Sequence, residues 1–107
     1  MVGSRETELN LNRAQAQKLL SDVPEDKVFW NRDGQTFKSL YELERGINSM
    51  TDEAYSYHAN PDKNDFAKWI NQVIGDETLA KNLENTYDRS DAAMKVEERI
   101  HHLIAIR

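Results

Sequence analysis

A mainly α-helical, small α+β domain is what the sequence predicts: a compact bundle of five to six short helices carrying one β-hairpin near residues 28–37. Three observations predict it. Apolar residues recur at helical spacing along most of the chain, most clearly at Phe66, Trp69, Ile70, Val73 and Ile74, which is i, i+3, i+4, i+7, i+8 and marks one face of an amphipathic helix. Residues suited to helix starts stand ahead of these runs: Asn12, Ser39, Thr51, Asn60, Asp76 and Ser90. Two short β-prone runs flank an Asp-Gly pair at a single place.

Taken in order, the first helix is expected from about Asn12 to Asp22, with Ala14, Leu19, Leu20 and Val23 as sparse apolar content. Asn12 can cap it, and Pro24 ends it by disfavouring a helical residue before it. Val28-Phe29-Trp30 and Gln35-Thr36-Phe37 then flank Asn31-Arg32-Asp33-Gly34, where glycine takes a positive φ at little cost. An isolated hairpin is marginal in water, so this one must lie on a helix face. Strand alternation puts Phe29 on one side and Trp30 on the other.

Ser39-Leu40-Tyr41-Glu42 reads as a capping box, opening a helix with Leu40, Leu43, Ile47 and Met50 on one face. Gly46 inside it either weakens the helix by about 1 kcal/mol relative to Ala or marks close packing. A short helix from Thr51 to about Ala59 follows, with Asp52 and Glu53 in its first turn where the helix dipole favours acids. Asn60-Pro61 gives an N-cap with proline at the first helical position, so the central helix is expected to run from there to Ile74. Gly75 stops it and Asp76 caps the next helix, which carries Leu79, Ala80 and Leu83. Ser90-Asp91 opens the last helix, with Ala93, Val96, Ile100, Leu103 and Ile104 as its stripe.

The 107 residues suit one small domain, expected as a flexible N-terminal segment, residues 1–11, and a single helical domain, residues 12–107. Without cysteine, neither a disulfide framework nor a thiolate metal site is possible. No apolar run approaches the roughly 18 residues of a membrane span. The first residues lack the apolar core of a secretory signal, so a cytoplasmic location with no membrane association is expected. The formal net charge of −5 disfavours broad phosphate-backbone binding, because an acidic surface repels nucleic acid at long range.

The segment Tyr57 to Asp76 carries the densest chemistry. Phe66 and Trp69 fall on the apolar face and read as core anchors rather than as an aromatic platform. His58, Asp62 and Asp65 could hold a divalent cation, but their spacing matches no metal pattern. Asp62-Lys63-Asn64-Asp65 lacks the glycine and the distal glutamate of a calcium loop. His101-His102 after Glu97-Glu98 reads as a solvated helix face. No catalytic constellation or glycine-rich phosphate loop is distinguished, so no enzyme, no cofactor and no metal are expected. Trp30 beside Arg32 on the hairpin has the composition of a binding hot spot. Tyr57, His58 and Lys63 have no evident folding role.

The order of an aromatic Asp-Gly hairpin, Ser39-Leu40-x-Glu42-Leu43, Tyr57-His58, Lys63-Asn64-Asp65-Phe66-x-x-Trp69-Ile70 and Val73-Ile74-Gly75-Asp76 resembles an uncharacterised family of small archaeal and bacterial domains of unknown function. The resemblance covers about Val23 to Ile104 and implies a single domain. It implies no activity, cofactor or catalytic residue.

The expected function is a non-enzymatic protein-interaction or regulatory module, docking on a protein partner or on its own copy through Trp30, Arg32, Tyr57, His58, Lys63 and Asp65. The alternative is a small nucleic-acid-binding helical domain, with residues 51–74 as a helix-turn-helix-like pair. A metal or small-molecule module around His58 stands third.

Overall fold

The structure, a computed structural model, describes residues 11–107. The segment expected to be flexible, residues 1–11, lies outside the described residues except for Leu11, which is partly buried against the core. The architecture is mainly α-helical with a small β component, as expected. Six α-helices are described: α1 (Arg13–Leu20), α2 (Leu40–Ser49), α3 (Asp52–His58), α4 (Asp65–Trp69), α5 (Glu77–Leu83) and α6 (Arg89–Ile106). Strands β1 (Phe29–Trp30) and β2 (Thr36–Phe37) form one antiparallel hairpin, in the register Phe29↔Phe37 and Trp30↔Thr36.

A second hairpin stands where the sequence suggests the start of the central helix. Strands β3 (Ala59–Asn60) and β4 (Lys63–Asn64) pair antiparallel, and Pro61 sits in the turn between them. The physical reason lies in two asparagines. Asn60 folds its amide back, donating from Nδ2 to the Ser56 carbonyl at 2.9 Å, while its Oδ1 accepts the Asp62 N–H at 2.9 Å. That side chain makes a local Asx turn instead of a helix cap. Asn64 takes the capping role, its Oδ1 accepting the Ala67 N–H at 3.0 Å. Helix α4 therefore begins at Asp65, and Asp62 lies in the turn rather than in a first helical turn. The hairpin also separates α3 from α4, so residues 51–74 are not a helix-turn-helix pair.

The other ends follow cap chemistry. Asn12 and Gln15 complete a reciprocal capping box on α1. Ser39 caps α2, accepting from Glu42 N–H at 3.2 Å, but the Glu42 carboxylate reaches the N–H of Lys38, one residue beyond its expected partner. Helix α6 starts two residues early because Asp88, not Ser90, is the cap and accepts from the Asp91 N–H. After Trp69 the chain widens into a π-helical turn, Ile70–Ile74, closed by Gly75 in the left-handed conformation at φ 91°. The widened turn keeps Ile70 and Ile74 buried and leaves Val73 half-buried, so the predicted apolar face survives the change of helix type.

One core joins all six helices. Helix α6 packs chiefly on α2 and α1, and α5 on α4 and α6. Ala16 and Leu20 are buried, so α1 belongs to this core. Phe37 stacks over Gly46, where a Cβ would run into its ring; close packing is what the glycine serves. Trp69 is buried and its indole N–H donates to the Lys27 carbonyl at 2.8 Å, tying the chain before β1 to the central helix.

Two arginines complete the framework. Asp76 caps α5 through Oδ1 and pairs with Arg99 of α6 by two contacts of 2.8 and 2.9 Å, both side chains buried. Arg89 donates to the carbonyls of Ile47 and Asn48 at 3.0 and 2.9 Å, satisfying the open end of α2, and pairs with Asp52 at the start of α3. No helix among the described residues is long and apolar enough to cross a membrane.

Candidate functional site: an aromatic and cationic face around His58

Helix α3 ends on His58, and its burial pattern decides where the ring goes. Ala54, Tyr55 and His58 face the core, whereas Tyr57 points outward with half its surface exposed. Under His58 lies a ring cluster drawn from three elements. Phe29 of β1 is 5.0 Å from the imidazole centroid and Phe66 of α4 is 5.3 Å away, and the two phenyl rings stack at 4.9 Å. Tyr55 stacks on the far side of Phe66 at 5.2 Å. Burial raises the Tyr55 phenol well above its usual value, with Asp88 and Asp91 adding to the effect. That phenol donates to the Thr86 carbonyl at 2.6 Å.

The imidazole edge is fully engaged. The Arg32 backbone N–H donates to His58 Nε2 at 3.1 Å. Because Nε2 accepts, the ring proton sits on Nδ1 and is donated to Asp65 Oδ2 at 2.9 Å. The same carboxylate oxygen accepts from Lys63 Nζ at 3.0 Å. Partial burial of Asp65 works to raise its pKa, but the hydrogen bonds from His58 and Lys63 and the Lys63 charge outweigh that, leaving the carboxyl below its ordinary value. Lys63 Nζ stands 4.6 Å from the Tyr57 ring centroid and the Arg32 guanidinium 4.8 Å from it, both in cation–π range.

Of the six residues singled out in the sequence, five are thus brought together: Arg32, Tyr57, His58, Lys63 and Asp65. They come from the first hairpin, α3, β4 and α4, and only folding makes them neighbours. Trp30 precedes this group on β1 with 67% of its surface exposed, the most exposed large apolar side chain described. His58 differs from the other five because only 5% of it is exposed; it holds the face from beneath. The hairpin tip also departs from expectation. Arg32, Asp33 and Gly34 are exposed, but Asn31 is buried.

The His58–Asp65 pair has the composition of a general-base dyad. In this arrangement Nε2 is already occupied by the Arg32 N–H and the ring is buried, so the dyad holds structure together instead of presenting a free base. No group of three or more His, Asp or Glu side chains among the described residues is placed to hold a metal ion. His101 and His102 are exposed on α6.

Two open grooves flank the face. One, of about 450 Å³, runs between β3–β4, α4 and α5, with Lys63, Lys68 and Lys81 set among Asp62, Glu77 and Glu84. The other, of about 530 Å³, lies between the first hairpin and the end of α2 and includes Phe37, Glu42, Arg45 and Met50. Their mixed charges favour no single ligand class. Comparison with protein families, curated proteins and solved structures finds no match to this chain.

Asn31, Phe29 and the arginines 89 and 99 were not legible as parts of this framework. Arg99 pairs with a residue 23 positions away and Arg89 with one 37 positions away, distances over which a single sequence carries no pairing signal.

Proposed function

We propose that this protein is a non-enzymatic interaction module that docks a partner protein on the face formed by Trp30, Arg32, Tyr57, Lys63 and Asp65, with His58 positioning it. The observation that carries this reading is the exposure of Trp30 and Tyr57, 67% and 50%, on a framework whose other members are tied down by hydrogen bonds. Trp, Tyr and Arg are the residue types that dominate binding energy at protein interfaces. Tyr57, in contact with the Arg32 and Lys63 cations, loses little conformational freedom on docking. The cations beside Tyr57 add specificity through charge and geometry. A cytoplasmic location, the absence of any cofactor and kinship with the uncharacterised small-domain family belong to the same proposal, and none adds chemistry to the face.

The test is crosslinked capture from the native host with wild type and with the Trp30→Ala and Tyr57→Ala variants. Trp30→Ala should keep wild-type stability within about 0.5 kcal/mol, the range for exposed positions, Tyr57→Ala should lose about 1 kcal/mol with its cation–π contacts, and both should lose the species that wild type captures. Sedimentation of the purified protein separates a distinct partner from a second copy of this chain. Retention of the same species by both variants contradicts the reading.

A further inference from the structure

We infer that His58 is a proton-operated latch: protonating its ring releases the tip of the first hairpin and so reshapes the face that carries Trp30, Arg32 and Tyr57. Two adjacent observations support it. First, the tip is fastened to the rest of the face by the Arg32 N–H, which is donated to His58 Nε2 at 3.1 Å. That bond exists only while Nε2 keeps its lone pair. A proton there leaves two N–H donors facing each other, with no acceptor between them. The opposite edge of the ring is unaffected, because Nδ1–H still donates to Asp65 Oδ2, now as a charge-assisted bond. The ring therefore stays in place and the tip moves.

Second, the fastened tip carries an unfavourable feature one residue away. Asn31 is only 4% exposed; its Nδ2 donates to Gln35 Oε1 at 2.8 Å, yet its Oδ1 is buried with no hydrogen-bond partner among the described residues. Burying an unpaired acceptor opposes the closed state, and opening the tip returns that oxygen to water. The closed tip is thus held by the His58 bond, which a proton removes, and by the Arg32 guanidinium over the Tyr57 ring, and it is opposed by a buried acceptor that opening relieves.

The charges around the ring act in the same direction. From the hairpin tip come Arg32 and Asp33, an exposed pair 3.9 Å apart. From β4 and α4 come Lys63 and Asp65, and from the ring's own helix the Tyr57 phenol. Phe29 and Phe66 contribute no charge. A protonated His58 sets a positive ring against the Arg32 N–H and adds to the Arg32 and Lys63 cations already gathered at the Tyr57 ring. The imidazole both accepts the Arg32 N–H and can gain a proton at that nitrogen, which makes acidification the signal.

The consequence for docking rests on the interaction reading above; the latch itself is a property of the isolated chain and is tested there. ¹⁵N NMR of the purified protein is followed from pH 8 to pH 5. At pH 8 the His58 ring should show Nδ1 protonated and Nε2 as acceptor. On acidification the Arg32 amide and the Trp30 indole should shift with the midpoint of the His58 ring. The Arg32 amide should lose protection from exchange at least tenfold after correction for intrinsic pH dependence. The Ala67 and Leu79 amides, capped by Asn64 and Asp76, should not follow. In His58→Phe, which keeps an aromatic ring among Phe29 and Phe66, the transition should vanish and the Arg32 amide should exchange freely at every pH. An Nε2–H tautomer at pH 8, a ring that stays neutral down to pH 5, or an Arg32 amide that keeps its shift and protection through the ring titration overturns the latch. No partner is present, so such a failure leaves the docking reading standing, and failure of Trp30→Ala to alter capture leaves the latch standing.

Discussion

Asp65 accepts two hydrogen bonds at one carboxylate oxygen, from a neutral imidazole and from an ammonium, and its pKa is lowered as a result. A carboxyl whose folded pKa lies below its unfolded value contributes stability that is present above the unfolded pKa, about 3.9, and is lost as pH falls through the folded value. Asp65→Asn should therefore flatten the acid limb of a urea-melt stability profile below about pH 4. Asp76 poses a different case, since it is both a cap and the buried partner of Arg99. Asp76→Ala removes both the cap of α5 and the two contacts that Arg99 makes with this carboxylate in the core, and should cost about 3–5 kcal/mol. Asp76→Asn keeps a good capping residue, so the difference between the two variants in urea melts reports the cap apart from the ion pair. Trp69→Ala should cost about 3–5 kcal/mol; near-wild-type melting of that variant would place the indole outside the core. Burial of Trp69 was legible from helical spacing alone, whereas the pairing of Asp76 with Arg99 was not, because it depends on how α5 meets α6.

The elements that the sequence announces best are those whose side chains repeat at helical spacing, and α2, α3, α5 and α6 fall within a residue or two of expectation. The second hairpin was hidden by an ambiguity of chemistry. Asn-Pro serves a helix start and a turn equally well, and the outcome turns on whether the Asn60 side chain faces forward to a helix or back to the Ser56 carbonyl. Gly46 was ambiguous in a similar way, and the structure resolves it through Phe37. Gly46→Ala gains about 1 kcal/mol in helix propensity but drives a methyl group into that ring, and overpacking of this kind costs about 1–3 kcal/mol. The variant should melt at a lower temperature than wild type. Combining it with Phe37→Leu should recover part of the loss, and additive losses in that double-mutant cycle would show that the ring and the glycine are not in contact.

Across the whole molecule, α6 packs on α2, α1 and α5 and is tied by Arg99 to the buried Asp76, while the first hairpin and the end of α3 carry the aromatic and cationic side chains around His58. The separate parts of that face were visible in sequence, Tyr57, His58 and Lys63 as residues without an evident folding role and Trp30 with Arg32 as a hot-spot composition. Their meeting was not, because Arg32 and His58 lie 26 residues apart and His58 and Asp65 are joined across a hairpin that the sequence disguises. A photocrosslinking residue placed at position 30 in the native host, with position 94 on the exposed side of α6 as control, interrogates that face where it works. A discrete adduct from position 30 that is absent from position 94 is the expected result; equal labelling from both positions, or labelling from position 94 alone, would contradict docking through the hairpin face.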